Sequence, residues 1–439
     1  MMKRKLYIET YGCQMNFADS DVLAAILAPR YGRTDDYKQA DLILMNTCSI
    51  RDHAEQRVLN RLREFAAMKK RRAGLYIGIV GCMAERMKEE LLEEALKVDL
   101  VVGPDAYRSL PALLDRLEAE GEKGLDVELS KEETYHDIIP LRAAENKVSA
   151  FVSIMRGCQN FCTYCVVPYT RGVERSRPAD SIVDEARRLF EAGYREVTLL
   201  GQNVNSYRYN DTSFARLMAA VAEVNPLLRV RFATSHPKDL SDGLLEVMAA
   251  YPNICRAIHL PVQSGSTSML KRMNRKYTRE HYLQRVEAIR RFLPDASLST
   301  DIIAGFCGET EAEHQETLSL MREVGYDSAF MFKYSDRPGT FAHRHYQDDI
   351  PEEEKTRRLN EIIALQNELS LACNRKYIGR TVEVLVEGVS EKRGRQYIGR
   401  NTQNKVVLFE PTEAVVKPGD YVQVRVTRCS AVTLLGELA

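Results

Sequence analysis

Short apolar runs recur along the first part of the chain, and each is followed by a longer stretch with apolar residues every three or four positions. The first spacing is typical of strands and the second of amphipathic helices. Strands that alternate with helices form parallel sheets, so residues 1–120 are predicted to form an open parallel α/β domain. The predicted strands are Lys5–Thr10, Asp41–Asn46, Leu75–Val80 and Val98–Val102, and the predicted helices are Asp19–Leu27, His53–Lys70, Ala84–Leu96 and Tyr107–Leu117.

The next stretch, residues 121–147, is polar and follows neither spacing clearly. Carboxylate side chains are frequent in it, and its apolar positions are few. We interpret this stretch as a linker that contains one edge strand at Leu125–Leu129.

Strands and helices alternate again over residues 148–375. Six repeats are present where a closed barrel needs eight, so we predict a partial (β/α)6 barrel. A last helix, Pro351–Lys376, would connect this barrel to the tail. The predicted strands are Ala150–Met155, Glu196–Leu200, Arg229–Thr234, Ala257–Leu260, Ser297–Ala304 and Ser328–Tyr334, and the predicted helices between them are Ala179–Glu191, Phe214–Val224, Leu240–Ala250, Arg279–Phe292 and Ala312–Val324.

The tail, residues 376–439, contains short strand-like runs separated by turn residues. This pattern predicts a small, OB-like antiparallel β-barrel, an architecture often used to bind oligonucleotides. Ten Lys and Arg stand against seven Asp and Glu here, concentrated at Lys392–Arg395 and Arg400. A solvated charged face on a structural barrel is the alternative interpretation. The predicted strands are Thr381–Glu387, Gln396–Gly399, Val406–Phe409 and Tyr421–Arg428.

The composition is that of a globular protein of several domains, with 439 residues of which 44% are hydrophobic. No apolar run has the length of a membrane span, and the amino terminus lacks the apolar core of a signal peptide. We therefore predict a cytoplasmic protein that does not bind a membrane. In that reducing compartment its ten cysteines are better explained as ligands than as disulfides. Lys and Arg (62) balance Asp and Glu (62), so the net charge indicates no nucleic-acid partner.

Three cysteines, Cys158, Cys162 and Cys165, form a Cys-x-x-x-Cys-x-x-Cys run directly after the first predicted barrel strand. Thiolates at this spacing can hold one [4Fe–4S] cluster, which has four irons and would keep one of them open. An open iron is typical of radical chemistry that starts from S-adenosylmethionine (AdoMet). Zinc would need a fourth nitrogen or sulfur ligand, and three structural cysteines within eight residues would be unusual.

Three further cysteines, Cys13, Cys48 and Cys82, each follow the carboxyl end of a predicted parallel strand. Those ends lie along one edge of an open sheet, so residues far apart in sequence would converge there. Each cysteine alone would be interpreted as a core residue. Together they predict a second three-cysteine cluster site, again with one open iron.

Eight phrases of the sequence match one known family. They are Glu9–Asn16, Asn46–Arg51, Gly81–Ala84, Arg156–Cys165, Thr170–Gly172 with Glu174–Arg177, Leu200–Tyr207, His259–Ser266 and Asp301–Phe306. With them the chain resembles the radical-AdoMet methylthiotransferases over nearly its whole length. The phrases Tyr11–Asn16 and Gly201–Asn205 are most similar to the branch that acts on isopentenyladenosine in tRNA. The resemblance implies a methylthiotransferase domain at 1–120, a radical SAM core at 148–375 and an RNA-binding TRAM domain at 376–439.

The resemblance also implies two [4Fe–4S] clusters and two roles for AdoMet, as methyl donor and as radical source. One cluster would bind AdoMet and cleave it reductively, and the other would hold or supply the sulfur. Gly201, Gln202 and Asn203 occupy the place where the superfamily holds the AdoMet amino group. Further candidates are Ser235 for the ribose, Tyr164 for the adenine, and Asp301. Loop chemistry is the alternative for Ser235, and helix capping for Asp301.

The implied substrate is the tRNA anticodon stem-loop that bears isopentenyladenosine. Such loops are recognised by phosphate contacts and by aromatic stacking on splayed bases. The substrate-binding candidates are Arg171, Arg175, Arg177, Tyr169, Tyr207 and Gln263. The arginines could instead pair with the many carboxylates nearby. We also expect an electron donor such as a flavodoxin, and a monomeric protein.

Two alternatives remain open from the sequence. The substrate could be threonylcarbamoyladenosine in tRNA or an aspartate of a ribosomal protein, to which the phrases are less similar. A non-catalytic iron–sulfur protein that binds RNA or carries electrons would bind tRNA without forming 5′-deoxyadenosine. The two incomplete ligand sets argue against that class, because an electron carrier has no use for an open iron.

Overall fold

The computed structural model describes residues 3–48, 52–142, 147–390, 396–410 and 416–439. The fold is mixed α/β, as predicted, and it divides into two compact units. The first contains residues 1–144, 153–159 and 166–181, and the second contains residues 145–152, 160–165 and 182–439. No helix in the described part of the chain is long and apolar enough to cross a membrane.

The first unit is built on a six-stranded sheet whose paired strands all run parallel. Its strands are β1 (Arg4–Thr10), β2 (Tyr31–Arg33), β3 (Leu42–Thr47), β4 (Tyr76–Gly81), β5 (Leu100–Val102) and β6 (Gly124–Asp126), in the spatial order β2-β1-β3-β4-β5-β6. Its helices are α1 (Gln14–Leu27), α2 (Asp52–Lys69), α3 (Cys82–Met87) and α4 (Leu110–Glu120).

Successive residues of the central strand β3 enter different cores. Leu42 and Leu44 pack in one hydrophobic cluster with residues of α1 and α4, whereas Ile43 and Met45 pack in another with residues of α2 and α3. A parallel sheet covered on both faces favours apolar side chains at successive positions, and all of β3 is buried. The continuous apolar run Leu42–Met45 therefore follows from the place of this strand in the middle of the sheet, and the polar residues Asn46 and Thr47 come only at its carboxyl end.

The predicted helix Ala84–Leu96 is wrong in its extent. Helix α3 ends at Met87, and two 3₁₀ segments, Lys88–Leu92 and Glu94–Leu96, follow it. Lys88 has a φ of 48°, outside the right-handed region that a helix needs, so the helix stops there despite the favourable composition. The edge strand expected at Leu125–Leu129 is present as the shorter β6 (Gly124–Asp126), which lies at the edge of the sheet and pairs in parallel with β5.

The chain then supplies β7 (Ser149–Ser153) to a sheet of the second unit. The first unit receives a short antiparallel pair, β8 (Met155–Arg156) and β9 (Arg175–Ser176), with α5 (Val167–Arg171) between them in sequence. Cys158 follows β8 closely, and its backbone N–H donates to Gly172 O at 3.1 Å.

The second unit carries the remaining predicted barrel strands in two three-stranded sheets. The strand order of the first sheet is Arg229–Phe232, Glu196–Leu200, Ser149–Ser153, and that of the second is Ala257–His259, Ser297–Ala304, Ser328–Lys333. In addition, an isolated parallel β-bridge pairs Val230, in the strand Arg229–Phe232, with Ile254, which precedes the strand Ala257–His259. The elements are α6 (Ala179–Glu191), β10 (Glu196–Leu200), β11 (Arg208–Tyr209), β12 (Thr212–Ser213), α7 (Phe214–Ala222), β13 (Arg229–Phe232), α8 (Asp242–Ala250), β14 (Ala257–His259), α9 (Thr267–Arg272), α10 (Arg279–Phe292), β15 (Ser297–Ala304), α11 (Glu311–Val324), β16 (Ser328–Lys333), α12 (Phe341–His345) and α13 (Glu352–Arg375).

The tail forms a closed five-stranded barrel in the order β17-β18-β19-β21-β20. Its strands are β17 (Thr381–Ser390), β18 (Gln396–Arg400), β19 (Val406–Phe409), β20 (Tyr421–Cys429) and β21 (Thr433–Leu438). The four predicted strands are present, and β21 is an additional one. It closes the barrel by pairing in parallel with β19, and that partner cannot be found from the local pattern. Residues Lys392–Arg395, in which the basic character of the tail is concentrated, lie outside the described residues.

Candidate functional site

Three free cysteines of the first unit follow neighbouring strands of its sheet. Cys13 lies three residues beyond β1, Cys48 directly follows β3, and Cys82 directly follows β4. The parallel register pairs Thr47 with Gly81, which places the last two cysteines at the same level of the sheet. The predicted convergence at the carboxyl edge is therefore present in the strand order and in the register.

Close approach of the backbone to this edge is visible at Gly12. A β-carbon on Gly12 would lie 2.4 Å from Cβ of Cys48, and the φ of Gly12 is 128°. Both the space and the dihedral angle therefore require glycine, because real Cβ contacts are never that short. The loop after β1 can then approach the loop after β3, which holds Cys13 near Cys48.

Two buried asparagines hold these loops together. Asn16 Nδ2 donates to Asn46 Oδ1 at 2.9 Å and to Thr47 O at 3.0 Å. Asn46 Nδ2 donates in return to Asn16 O at 2.7 Å and to Ser20 Oγ at 2.9 Å. Cys13 Sγ donates to Asn16 Oδ1 at 3.2 Å. A buried amide without hydrogen-bond partners would lower the stability of the folded protein. This reciprocal arrangement therefore fixes the start of α1 relative to the end of β3.

A buried ion-pair network of the first unit reaches the same cysteines. Arg171 Nε donates to Cys82 Sγ at 3.2 Å, and its Nη2 donates to Asp19 Oδ2 at 2.9 Å. The other oxygen of Asp19 accepts from Arg156 Nη1 at 2.8 Å. The side chains of Asp19, Arg156 and Arg171 are 1%, 2% and 3% exposed, so all three charges are withdrawn from water.

The pKa values of two of the thiols shift in opposite directions. The pKa of Cys13 is lowered to about 6, chiefly because Cys48 donates a hydrogen bond to its sulfur, with a further contribution from the positive charge of Arg171. Burial raises the pKa of Cys82, and the charge of Arg171 opposes that shift. The surroundings therefore favour the thiolate at Cys13, which is the state in which cysteine binds metal, and at Cys82 the charge of Arg171 offsets part of the effect of burial.

Two other arginines predicted to contact RNA serve the packing of the first unit. Arg175 is 5% exposed, and its Nη2 donates to both oxygens of Asp105 at 2.8 and 2.9 Å. Arg177 is also buried, and its Nε donates to Ser181 Oγ at 3.0 Å. Arg175 therefore follows the alternative interpretation from the sequence, in which these arginines pair with carboxylates rather than with RNA. Neither guanidinium can reach a phosphate in this conformation without leaving its buried bonds.

Cys162 and Cys165 lie in the second unit, where the loop that carries them is bonded to the residues after α9. Thr163 N donates to Met273 O at 3.1 Å, and Cys165 N donates to Cys162 O at 2.9 Å. Arg275, only 4% exposed, donates from Nη1 to Cys162 Sγ at 3.3 Å and to the hydroxyl of Tyr164 at 3.4 Å. A buried arginine thus contacts a cysteine sulfur in this unit as well.

Polar atoms without partners collect after β10 and β13 in the second unit. Gln202 Oε1, Asn203 Oδ1 and Ser235 Oγ are buried with no hydrogen-bond partner among the described residues, and so is His236 Nε2. The two loops are adjacent, since Val204 N donates to Thr234 O at 3.0 Å. Buried polar groups are normally satisfied, so this set indicates that a polar ligand binds here.

The remaining candidates occupy varied environments. Tyr164 packs edge-on against Phe306, with ring centroids 6.3 Å apart. The Asp301 carboxylate lies 3.4 Å from His259 Nε2. Tyr207 is 2% exposed and Gln263 7%, so Tyr207 cannot stack on an RNA base without leaving the core. Tyr169 is 40% exposed, so part of its side chain faces solvent.

Four residues of these sites were not predicted from the sequence: Asp19, Arg156, His236 and Arg275. Arg156 directly precedes Gly157-Cys158, and His236 directly follows Ser235. Their positions next to predicted site residues were the only feature of the sequence that could have indicated a role for them. Asp19 and Arg275 lie 6 and 110 residues from the nearest cluster cysteine, Cys13 and Cys165 respectively. Nothing in the local pattern separates these two from ordinary surface charges.

His236 is expected to make the protein less stable as the pH falls. Burial, reinforced by the charge of Arg275, lowers its pKa to about 2, so the folded protein keeps it neutral. The unfolded chain takes up a proton near pH 6.5, which removes up to about 1.4 kcal/mol of stability for each pH unit below that value. His236→Gln should flatten this dependence in urea unfolding measured from pH 7.5 to 5.

The matched control is His136→Gln, at an exposed histidine of the first unit. That variant retains His236 and should therefore keep the pH-dependent loss of stability assigned to that residue. If His236→Gln lost stability as steeply as the wild type between pH 6.5 and 5, the buried neutral state assigned to His236 would be wrong.

Three family models match consecutive parts of the chain. The Radical SAM superfamily matches residues 152–321, the TRAM domain matches residues 375–439, and the model described as "Uncharacterized protein family UPF0004" matches residues 5–103. The Radical SAM model covers the Cys-x-x-x-Cys-x-x-Cys run and the barrel strands from β10 to β15. Fold and matches together define the class of the protein, a radical SAM enzyme.

Curated relatives identify the family within that class. The chain is 58% identical over 440 residues to the tRNA-2-methylthio-N(6)-dimethylallyladenosine synthase of Bacteroides fragilis, covering 99% of this chain and 95% of that one. It is 59% identical to the synthase of the same name from Phocaeicola vulgatus, covering 99% and 96%. The chain belongs to the family of tRNA-2-methylthio-N(6)-dimethylallyladenosine synthases, and the resemblance found in the sequence phrases is confirmed.

Solved structures share the fold at low sequence identity. The radical S-adenosylmethionine methyltransferase TsrM from Kitasatospora setae superposes with a TM-score of 0.61 at 15% identity, over 78% of this chain and 77% of that one. The cobalamin-dependent S-adenosylmethionine radical enzyme OxsB gives a TM-score of 0.56 at 12% identity, over 83% of this chain and 56% of that one. Both solved structures thus share the fold of this chain over more than three quarters of its length.

Proposed function

We propose that this protein converts N6-isopentenyladenosine next to the anticodon of tRNA to its 2-methylthio derivative. The observation that carries the proposal is the meeting of Cys13, Cys48 and Cys82 at one sheet edge, in a radical SAM chain almost as long as its methylthiotransferase relatives. A second sulfur-rich site in addition to the radical SAM motif is what a sulfur-inserting enzyme needs and what a simple electron carrier does not.

The family implies AdoMet and one [4Fe–4S] cluster, for which Cys158, Cys162 and Cys165 supply three thiolates. We propose a second [4Fe–4S] cluster on Cys13, Cys48 and Cys82. All six are free cysteines, and the charge of Arg171 favours thiolates in the second set. When bound, such clusters supply the electron for reductive cleavage of AdoMet and a place to carry sulfur.

The protein's own residues would hold AdoMet in the loops after β10 and β13. Gln202, Asn203 and Ser235 offer buried polar atoms that have no partner among the described residues. Asn203 is held in place because its Nδ2 donates to Asp239 Oδ2 at 2.7 Å. We retain Gly201, Tyr164 and Asp301 as further candidates. Closed, dry surroundings of this kind protect reactive species from water.

Removing one of these polar atoms is expected to weaken AdoMet binding. Ser235→Ala and Asn203→Ala should each raise the Kd for AdoMet about tenfold, because a buried hydrogen bond contributes roughly 1–1.5 kcal/mol. Calorimetry on the anaerobically reconstituted protein measures this change. Ser319→Ala, at an exposed serine of α11, should leave the Kd unchanged. An unaltered Kd in both pocket variants would place AdoMet elsewhere.

For the RNA we propose contacts from the tail barrel and from Tyr169. The barrel belongs to a TRAM domain, and the half-exposed ring of Tyr169 can stack on a splayed base. Arg175, Arg177 and Tyr207 are withdrawn as direct contacts because their side chains are buried. Arg171 faces a cysteine instead, and Gln263 stays a candidate. A flavodoxin-like electron donor, the monomeric state and the cytoplasmic location stay predictions.

The substrate is tested by presenting three alternatives to the reconstituted protein with AdoMet and a reductant. They are anticodon stem-loops with isopentenyladenosine or threonylcarbamoyladenosine, and a peptide containing the ribosomal-protein aspartate. Mass spectrometry should find the methylthio group only on the isopentenyladenosine stem-loop. Modification of another substrate instead would overturn the assignment, and tRNA binding without 5′-deoxyadenosine would indicate a non-catalytic protein.

A further inference from the structure

A charged side chain, that of Arg171, donates a hydrogen bond to one of the three sheet-edge cysteines. Arg171 is the last residue of α5, it is 3% exposed, and its Nε lies 3.2 Å from Cys82 Sγ. Its Nη1 is buried and has no hydrogen-bond partner among the described residues. The guanidinium thus retains a donor beyond the two bonds that it makes to Cys82 and Asp19.

The orientation of Arg171 is set by a second layer of residues. Asp19 accepts from Arg171 Nη2 at 2.9 Å through one oxygen and from Arg156 Nη1 at 2.8 Å through the other. Tyr107 adds a third donor to Asp19, with its hydroxyl 3.4 Å from Oδ2. A planar guanidinium held by two bonds in this way cannot turn away from the cysteine without breaking both.

The charge of this network favours an anionic partner. Three guanidinium groups, those of Arg156, Arg171 and Arg175, contact two carboxylates, those of Asp19 and Asp105. One positive charge is left over, and Arg171 is the member that contacts sulfur. Buried charges are stable only when compensated, so thiolates and anionic sulfur at the sheet edge would balance the network.

We infer that Arg171 is a positioning residue of the Cys13, Cys48 and Cys82 site, where its N–H bond and its charge stabilise the reduced, more negative state of the group bound there. This inference rests on the proposed second cluster. Hydrogen bonds to ligand sulfurs and nearby positive charge both raise the reduction potential of an iron–sulfur cluster. Without Arg171 the same cysteines would hold a cluster that is harder to reduce.

The test isolates the second cluster in a Cys158→Ala, Cys162→Ala, Cys165→Ala background, so that iron, sulfide and the electron paramagnetic resonance signal report one site. Arg171→Gln should shift the midpoint potential to more negative values. We expect at least a tenfold fall in the ratio of reduced to oxidised cluster at a fixed potential, which corresponds to about 59 mV for one electron. Arg171→Lys keeps the positive charge but loses the planar set of guanidinium donors, so it should shift the potential less.

Arg175→Gln is the matched control, because Arg175 is a buried arginine of the same network that bonds to Asp105. It should change the stability of the protein without moving the potential. An equal shift in Arg175→Gln, or an unchanged potential in Arg171→Gln with full iron content, would overturn the inference. If Arg171→Gln fails to assemble iron while Arg171→Lys and Arg175→Gln both assemble it, the positive charge of Arg171 is needed to hold the group. That result supports the assignment of Arg171 as a positioning residue of this site.

The failure of the proposed function gives a different result. If the background protein with Arg171 intact binds no iron and sulfide, the second cluster itself is wrong, and the role of Arg171 toward it falls as well. If it binds one cluster whose potential is independent of Arg171, the proposed function stands and only the inference is overturned.

Discussion

Replacement of Cys13, Cys48 and Cys82 by alanine is expected to abolish methylthiolation completely while AdoMet cleavage continues. Iron and sulfide should fall by one [4Fe–4S] cluster per protein. Formation of 5′-deoxyadenosine in the presence of a reductant should persist, because Cys158, Cys162 and Cys165 are intact. The two activities separate only if the chain carries two independent ligand sets.

The reciprocal variant makes the prediction sharper. Alanine at Cys158, Cys162 and Cys165 should also remove one cluster, but it should eliminate both 5′-deoxyadenosine and the methylthio product. Cys255→Ala is the matched control, since this cysteine is buried and belongs to no ligand motif, and its iron content should equal that of the wild type. An unchanged iron content in the Cys13, Cys48 and Cys82 variant would refute the two-cluster assignment.

Asp19→Ala is expected to destabilise the first unit strongly. It would leave Arg156 and Arg171, which are 2% and 3% exposed, as buried cations without their shared carboxylate. Breaking a buried ion pair by removing one partner costs about 3–5 kcal/mol. Chemical unfolding of the cluster-free protein, followed by circular dichroism, measures the loss.

Asp115→Ala provides the comparison for that measurement. Asp115 also pairs with an arginine of the first unit, Arg30, but its side chain is 69% exposed, and surface pairs contribute at most about 1 kcal/mol. Asp19→Asn should fall between the two, because it keeps an acceptor oxygen and loses only the charge. A loss below about 1 kcal/mol for Asp19→Ala would show that the arginines are solvated in solution.

Much of the architecture could be predicted from local patterns. Each strand predicted in the first unit has a counterpart, from Arg4–Thr10 to Leu100–Val102, and so has each strand predicted in the barrel. The hydrophobic periodicity that distinguishes strands from helices is a property of neighbouring residues, so it can be recognised without knowledge of the rest of the chain. Several short strands were not predicted, among them Tyr31–Arg33 and Thr433–Leu438, and the second of these forms by pairing with a distant strand. The shortened helix Cys82–Met87 depends on one backbone angle, the φ of Lys88.

Cysteine positions could be predicted for the same reason, whereas the roles of the arginines could not. A cysteine directly after a parallel strand lies at the sheet edge whatever else the chain does. The sequence positions of Arg171 and Arg175 suggested RNA contacts, yet their charges are bonded to Asp19 and Asp105. Arg171 and Asp19 are 152 residues apart, and no pattern along the chain relates them.

The sequence by itself determined the order of the elements, the two sets of three cysteines and the family to which the chain is related. These follow from spacing, because spacing decides which face or edge a residue occupies. Only the tertiary structure decided which charges are buried together, which polar atoms stay unpaired and which arginine bonds to sulfur. Those features arise where distant segments meet, and their energies depend on the exclusion of water that the meeting produces.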